Sequence, residues 1–178
     1  MNAAIKPKLV LTGFMASGKS AVGRALAARL ERRFIDTDHE IVARAGKPIG
    51  RIFAEDGEAA FRALEREVVA ALAAAPDPAV IATGGGALVD NANYQVLSRA
   101  ATIICLTARP EVIARRVSVS TVARPKLTEG NLPLEQRIAQ LMEQRRDAYA
   151  RAEFTVDTSD LSVSAAAERV LRILEGKE

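Results

Sequence analysis

The chain has few of the features that mark exported, disulfide-bonded or membrane-spanning proteins. It contains one cysteine, Cys105, among 178 residues, so an intramolecular disulfide is excluded. None of its apolar runs approaches the length of about 20 residues that a bilayer-spanning helix needs. The first residues, 1–8, contain no apolar stretch long enough for a signal peptide. We therefore expect a cytoplasmic protein with no membrane partner.

Aromatic residues and basic runs are also scarce. Only 4% of the residues are aromatic, so there are few rings on which nucleic-acid bases could stack. The net charge of +3 is spread along the chain, and it suits a pocket for ATP and a small anion better than a nucleic-acid surface. We therefore expect small-molecule ligands and no nucleic-acid partner.

The segment Gly13–Ser20, GFMASGKS, fits the pattern G-x-x-x-x-G-K-[ST] of a phosphate-binding loop. In such a loop the backbone N–H groups point at phosphate oxygens, Lys19 adds a mobile charge, and Ser20 offers a hydroxyl to Mg²⁺. An apolar run precedes the segment and a stretch rich in Ala, Leu and Arg follows it. This order of strand, loop and helix aims a helix dipole at the phosphates, which disfavours an ordinary glycine turn.

Short apolar segments alternate with helical ones along the chain, which is typical of an α/β fold with a parallel sheet covered on both faces. The predicted strands are Lys8–Leu11, Phe34–Asp36, Ala79–Ala82, Thr102–Leu106 and Phe154–Val156. The predicted helices are Lys19–Arg32, Thr37–Ala45, Gly57–Ala74, Asn91–Ser98, Pro110–Val117, Leu134–Ala150 and Val163–Leu174. We expect one domain, 1–178, in which the aperiodic segment 118–133 forms a mobile lid.

Two carboxylates follow the second predicted strand, in Asp36-Thr37-Asp38. At a strand end they can face one cleft, where one binds a metal-held water and the other accepts a proton from a hydroxyl. Asp36 or Thr37 could instead cap the following helix, and the spacing alone leaves both interpretations open. The adjacent His39 is expected to be a solvated surface group.

Three glycines, Gly84–Gly86, follow the third predicted strand. The absence of side chains allows a ligand to approach the backbone closely, which we favour over a flexible turn. On the preceding helix, Arg62 and Glu65 share one face. Arginine binds carboxylates through two parallel hydrogen bonds and stabilises a phosphoryl group in transit.

Taken together, these motifs resemble the shikimate kinase family over about residues 10–158. In chain order they are GFMASGKSAVGR, FIDTD, GKPIGRIFAEDGEAAFRALE, IATGGG, ARPKL and LMEQRRDAY. Many NTPases have a phosphate-binding loop, whereas the next three motifs together are far more specific. The resemblance implies a three-layer P-loop kinase with a five-stranded parallel sheet flanked by helices. It also implies transfer of the ATP γ-phosphoryl group to the 3-hydroxyl of shikimate, in aromatic amino acid biosynthesis.

On the donor side, the resemblance implies that Lys19 contacts the phosphates. Ser20 would bind Mg²⁺ with Asp36 assisting through water, and Arg116 would lie near the adenine. The expected ATP-binding residues are Gly13, Ala16, Ser17, Gly18, Lys19, Ser20, Ala21, Arg116 and Arg124.

On the acceptor side, the resemblance implies that Asp38 binds shikimate hydroxyls and accepts the proton. Arg62, oriented by Glu65, would hold the carboxylate together with a second arginine. The lid arginine, Arg124, would neutralise the transferring phosphoryl group. The expected substrate-binding residues are Asp38, Arg62, Glu65, Gly84, Gly85, Gly86 and Arg145.

Three questions stay open at this point. The run LMEQRRDAY departs from the Arg-x-Pro-Leu-Tyr of the family, so Arg146 is an alternative to Arg145 as the carboxylate ligand. A related kinase of a sugar acid, such as gluconate kinase, would need similar groups. A silent nucleotide-binding module would be expected to lack Lys19, Asp38 or Arg124, and all three are present. We expect a monomer.

Overall fold

The computed structural model describes residues 6–119, 127 and 132–177. One parallel sheet has the strand order β2-β3-β1-β4-β5. The strands are β1 (Lys8–Thr12), β2 (Arg33–Asp36), β3 (Ala79–Ala82), β4 (Ala101–Thr107) and β5 (Phe154–Asp157). The helices are α1 (Lys19–Arg29), α2 (Thr37–Ala45), α3 (Ile49–Glu55), α4 (Gly57–Ala74), α5 (Asn91–Ala100), α6 (Pro110–Ser118), α7 (Leu134–Glu143), α8 (Arg146–Tyr149) and α9 (Val163–Leu174), with a 3₁₀ turn at Ala87–Val89.

The central strand β1 is buried on both faces, which explains its continuous apolar sequence. Leu9 and Leu11 pack in a cluster with residues of α1 and α9. Val10 points to the opposite face, in a cluster with residues of α4 and α5. The helices therefore form one layer on each side of the sheet, and the three-layer α/β prediction is confirmed.

All five predicted strands are present, but two helix predictions near the start of the chain need correction. The first helix ends at Arg29 rather than Arg32, because Glu31 adopts a positive φ of 52° that a helix cannot continue through. The helix α3 was not predicted, since it has only 7 residues. It begins after Pro48, whose fixed φ suits a helix start.

The predicted helix Leu134–Ala150 is wrong as a single element. It is divided into α7 and α8 by Gln144 and Arg145, and Arg145 has φ −109° and ψ 3°. The backbone therefore leaves the helical path at Arg145. After this break, the Arg145 side chain reaches Gly84–Gly86, the segment called the glycine loop below, and donates to Gly85.

Most of the predicted lid, 118–133, lies outside the described residues. Leu127 is described, and it is buried in a cluster with Phe14, Ile113 and Ile138. Elsewhere, Cys105 is buried as a free thiol, and burial raises the pKa of Cys105 to about 11. None of the helices in the described ranges has both the length and the apolar character that a membrane-spanning helix needs.

Candidate active site

The strand register brings the predicted motifs to the same level of the sheet. Leu11 of β1 and Asp36 of β2 both pair with Ala82 of β3. The segments that follow these three residues therefore emerge side by side at the carboxyl edge, where parallel sheets bind ligands. They are the phosphate-binding loop, the Asp-Thr-Asp segment and the three glycines.

The phosphate-binding loop is held in an unusual backbone conformation. Gly13, Ala16 and Gly18 have positive φ angles of 132°, 59° and 102°. Gly13 admits no side chain, since a Cβ atom there would lie 2.0 Å from the carbonyl oxygen of Leu106. The Lys19 ammonium donates to the carbonyl oxygens of Gly13 and Phe14, both at 2.9 Å. The loop is thus closed on itself by its own lysine.

The first turn of α1 has the character of an anion site. Gly18 at its N-cap supplies no side-chain acceptor, and the turn contains no acidic residue. The N–H groups that open a helix then lack a side-chain acceptor of that kind and favour a negatively charged ligand. Ser17 adds a buried hydroxyl that has no hydrogen-bond partner among the described residues. Ala21 lies in the same turn and is exposed. This environment fits nucleotide phosphates.

Ser20 and Asp36 meet at the start of α1. The Ser20 hydroxyl donates to Oδ2 of Asp36 at 2.8 Å, while Oδ1 of Asp36 accepts from the backbone N–H of Asp38 at 3.1 Å. Asp36 therefore caps α2 and also faces the loop, so the two interpretations of its sequence position hold together. These hard oxygen ligands fit Mg²⁺, which keeps several waters and binds few protein groups. The described part of the chain contains no cluster of three His, Cys, Asp or Glu side chains that could hold a metal ion by themselves.

Asp38 lies in the first turn of α2, half-buried, beside the glycine loop. Burial raises the pKa of Asp38 above its ordinary value, and the neighbouring Asp36 carboxylate adds to this effect. The positive charges of Lys19 and Arg62 act in the opposite direction. A carboxylate with a raised pKa is a stronger proton acceptor, which is what a general base requires.

Each of the three glycines lies against a different functional side chain. A Cβ atom at Gly84 would lie 2.8 Å from Oδ1 of Asp38. One at Gly85 would lie 3.3 Å from a guanidinium nitrogen of Arg145, and one at Gly86 would lie 3.4 Å from two nitrogens of Arg62. Neighbouring side chains therefore converge on bare backbone at these glycines, and the close approach of a ligand stays a prediction.

Arg62 is oriented by two acidic residues of its own helix. Its Nη1 donates to Glu65 at 2.8 Å and its Nη2 donates to Glu58 at 3.1 Å. Glu65 is 1% exposed, and its burial raises the pKa of its carboxyl, whereas the Arg62 guanidinium opposes that shift. This buried contact fixes one side of the guanidinium, as the helical spacing of the two residues predicted.

Arg145 completes the rim of a cavity of about 380 Å³. The cavity is lined by Glu58, Arg62, Gly86, Val89, Asp90, Gln144 and Arg145. The Arg145 guanidinium also donates to the carbonyl oxygen of Gly85 at 3.1 Å. Arg146, the alternative, is 71% exposed and pairs with Glu143. The structure therefore brings Arg145, and not Arg146, to Arg62.

The predicted ATP residue Arg116 lies on α6, on the far side of the phosphate-binding loop. Its guanidinium donates to the carbonyl oxygens of Ala16, at 3.2 Å, and Thr158, at 2.6 Å. It is thus attached to the donor side of the site, away from the cavity. The predicted lid residue Arg124 lies outside the described residues. The lone histidine, His39, is exposed, as expected.

Two residues of the site escape the sequence pattern. Thr37 is buried, and its hydroxyl accepts from the N–H of Gly84 at 3.0 Å, which ties the glycine loop to the start of α2. The Tyr149 hydroxyl donates to the carbonyl oxygen of Gly85 at 2.7 Å. Burial raises the pKa of Tyr149 to about 12, so it stays a donor at neutral pH. For Thr37 the signal was its place in Asp-Thr-Asp, where capping was one of two open interpretations. Tyr149 matches the final tyrosine of the family motif, but the sequence did not reveal its partner.

Comparison with known proteins decides the family. The shikimate kinase family model matches residues 15–175. The chain belongs to the shikimate kinase family. The shikimate kinase of Pelotomaculum thermopropionicum is 44% identical over 167 residues, which cover 94% of this chain and 95% of that protein. That of Desulforudis audaxviator is also 44% identical, over 94% of this chain and 86% of that protein.

Solved structures agree with this shikimate kinase assignment. A shikimate kinase from Acinetobacter baumannii in complex with shikimate has a TM-score of 0.88 and 31% identity, covering 98% of this chain and 96% of that one. A gluconokinase from Sinorhizobium meliloti has a TM-score of 0.57 and 19% identity, covering 97% and 96% of the two chains, and so shares the fold alone. The protein is an ATP-using kinase that phosphorylates a hydroxyl group of shikimate.

Proposed function

We propose that this chain transfers the γ-phosphoryl group of ATP to the 3-hydroxyl of shikimate, giving shikimate 3-phosphate and ADP. The site then has a donor half, which binds ATP, and an acceptor half, which binds shikimate. The observation that carries the proposal is the convergence of Asp38, Arg62 and Arg145 on Gly84–Gly86, beside the phosphate-binding loop. This convergence supports a site in which a proton acceptor and two carboxylate-binding groups lie next to a phosphate cradle. The reaction belongs to the route to chorismate and the aromatic amino acids.

In the donor half, the loop Gly13–Ser20 binds the ATP phosphates with its backbone N–H groups and the start of α1. Lys19 leaves its carbonyl contacts and follows the β- and γ-phosphates as a mobile charge. Ser20 and Asp36 would hold Mg²⁺, directly and through water respectively, and the ion would neutralise charge on the phosphates. Arg116, which donates to the Ala16 carbonyl, would lie near the adenine of the bound ATP.

In the acceptor half, Arg62 and Arg145 hold the shikimate carboxylate across the cavity. Glu65 keeps the Arg62 guanidinium in one orientation, so little rotamer freedom is lost when the substrate binds. Asp38 accepts a hydrogen bond from the 3-hydroxyl and takes its proton as the phosphoryl group arrives. Gly84–Gly86 let the hydroxyl-bearing carbon ring of shikimate lie against the backbone.

Arg124 stays a prediction from the sequence motif ARPKL. In that role it neutralises the phosphoryl group in transit, and the surrounding segment excludes water that would otherwise hydrolyse ATP. We further propose that the protein acts as a monomer, because one chain supplies the groups of both halves. A location in the cytoplasm is proposed on the sequence, which has a single cysteine.

The proposal is tested by shikimate-dependent release of ADP from ATP and Mg²⁺, with gluconate as the competing acceptor. We expect release with shikimate and none above background with gluconate. Release with gluconate alone would refute the acceptor assignment. In the same assay, Arg62→Ala should raise the KM for shikimate by about 10- to 100-fold, the cost of losing a charged, paired hydrogen bond. An unchanged KM would remove Arg62 from the site, and chelation of Mg²⁺ by EDTA should abolish turnover.

A further inference from the structure

The function of the phosphate-binding loop restricts the direction of its carbonyl groups. The C=O and N–H of a trans peptide unit point in opposite directions. A loop whose N–H groups face the phosphates must therefore hold its carbonyl oxygens outward, against protein. Ala16 also sits at φ 59°, a left-handed conformation that persists only where the surroundings impose it. These carbonyl oxygens therefore need hydrogen-bond donors, either from a side chain of the loop or from elsewhere in the fold.

Lys19 supplies donors for the first two carbonyls, those of Gly13 and Phe14. Two later carbonyls, those of Ala16 and Ser17, are held by residues from elsewhere in the fold. The Arg116 guanidinium donates to the carbonyl oxygen of Ala16 at 3.2 Å. The Thr158 hydroxyl donates to the carbonyl oxygen of Ser17 at 2.9 Å, across 141 residues of sequence.

Thr158 lies directly after β5, at the edge of the sheet, and is 2% exposed. Its backbone N–H donates to the carbonyl oxygen of Thr107 at 2.8 Å, which anchors it to β4. Its hydroxyl lies 3.0 Å from that same oxygen and accepts from Nη1 of Arg116 at 3.2 Å. A hydroxyl has one proton to donate. Because the Ser17 oxygen lies at the shorter distance, 2.9 Å, and the Thr107 oxygen already accepts the Thr158 N–H, we assign this proton to the Ser17 carbonyl.

The peptide unit that joins Ser17 to Gly18 is thereby fixed. With the Ser17 oxygen held outward by Thr158, the Gly18 N–H of the same planar unit points into the loop, where a phosphate oxygen binds. Arg116 fixes the preceding unit in the same way and adds a donor to the Thr158 carbonyl at 2.6 Å. Both carbonyls are therefore tied to one small cluster made of α6 and the end of β5.

We propose that Thr158 is a positioning residue for ATP, which holds the Ser17 carbonyl outward so that the Gly18 N–H faces the phosphates. Thr158 acts through the loop and makes no contact with shikimate. The inference rests on the proposed phosphate-binding role of the loop and adds a residue that lies far from it in sequence.

Thr158→Val removes the hydroxyl and keeps the volume, and Thr158→Ser keeps the hydroxyl. Thr155→Val makes the same chemical change at an exposed position of β5 and serves as the matched control. The KM values for ATP and shikimate are measured by ADP release, and binding of a fluorescent N-methylanthraniloyl-ADP is measured without shikimate. For Thr158→Val we expect about a tenfold rise in the KM for ATP and in the Kd for the probe, with the shikimate KM within about twofold.

Thr158→Ser and Thr155→Val should match the unmodified protein within about twofold. The proposal is overturned if Thr158→Val keeps its nucleotide constants and loses only thermal stability, if both KM values rise together, or if Thr158→Ser is as impaired as Thr158→Val. Should the valine variant not fold, Thr158→Cys, a weaker donor of similar size, carries the same expectations. Lys19→Ala is titrated with the same fluorescent nucleotide, to separate the role of Thr158 from the phosphate-binding role of the loop. An unchanged Kd in Lys19→Ala would refute the phosphate-binding role itself.

Discussion

The donor and acceptor halves of the site are built in different ways. The donor half is built around one continuous run, Gly13–Ser20, whose backbone supplies the donors and whose lysine closes the loop. Among the described residues, Asp36 and Arg116 are added to it from other segments. The acceptor half takes side chains from α2, α4 and the break between α7 and α8, and arranges them around Gly84–Gly86. A backbone cradle recognises phosphate in any nucleotide, whereas a few placed side chains select one substrate. Variants in the two halves should therefore change different kinetic constants.

The largest effect is expected at Asp38, where the halves meet. Asp38→Asn keeps the shape of the side chain but removes the proton acceptor, so we expect turnover to fall by about 10²- to 10⁴-fold. The KM for ATP should change little, because the phosphate cradle is intact. Steady-state ADP release measures both constants. Glu40→Gln, an exposed change on the same helix, is the control. Near-normal turnover in Asp38→Asn would remove Asp38 from the reaction.

A smaller effect should separate two adjacent arginines. Arg145→Ala removes a group that lines the cavity and should raise the KM for shikimate by about 10- to 100-fold. Arg146→Ala removes an exposed charge paired with Glu143 and should change neither KM by more than about twofold. Equal effects of the two substitutions would contradict the assignment that the break in the helix supports.

The glycine loop offers a test of crowding. In Gly84→Ala the new methyl group would lie 2.8 Å from Oδ1 of Asp38, so the carboxylate must turn aside. Because that oxygen is the end of a movable side chain, we expect little loss of stability but about a tenfold fall in turnover. Gly50→Ala is the matched control, since a Cβ atom there meets nothing within 4 Å. Thermal unfolding and turnover are measured on both, and a fully active Gly84→Ala would show that Asp38 tolerates displacement.

The smallest expected effect concerns stability and pH. The pKa of Asp38 is raised by burial and by Asp36, so the folded protein binds this proton more tightly than the unfolded chain does. Ionising Asp38 therefore costs folding free energy above the raised pKa. Asp38→Asn should melt a few degrees higher than the unmodified protein near neutral pH, and the gain should vanish toward pH 3.8, the ordinary value. A gain that is independent of pH would contradict this explanation, with Glu40→Gln again as the control.

The contrast between the halves also explains what the sequence could reveal. The donor motif is local, because eight neighbouring positions form the loop, and strand β1 before it is apolar on both faces. Strands β1, β3 and β4 were predictable for the same reason, since burial on both faces leaves continuous apolar runs. The acceptor residues gained meaning only through the family resemblance, because a lone arginine on a helix is as well explained by solvation.

What the sequence could not reveal depends on contacts between distant segments. The predicted helix Leu134–Ala150 has helical residues throughout. Its break at Arg145 is accompanied by hydrogen bonds from Arg145 and Tyr149 to Gly85, which lies 60 and 64 positions away. Capping was one interpretation left open for Thr37, and nothing in the sequence indicated that its hydroxyl accepts from the N–H of Gly84. Such partners are set by the register of the sheet, which no local pattern encodes.

The glycine loop also limits how the enzyme could be redesigned. Each of its three positions lies against a different side chain of the proposed site, so a larger residue there would displace a group that we expect to act on the substrate. Altering the range of acceptor alcohols must start elsewhere on the cavity wall. Val89 is the natural first position, because it lines the cavity, is 56% exposed and bears no charge. A library at Val89 would vary the shape of the wall while leaving every hydrogen bond of the site in place.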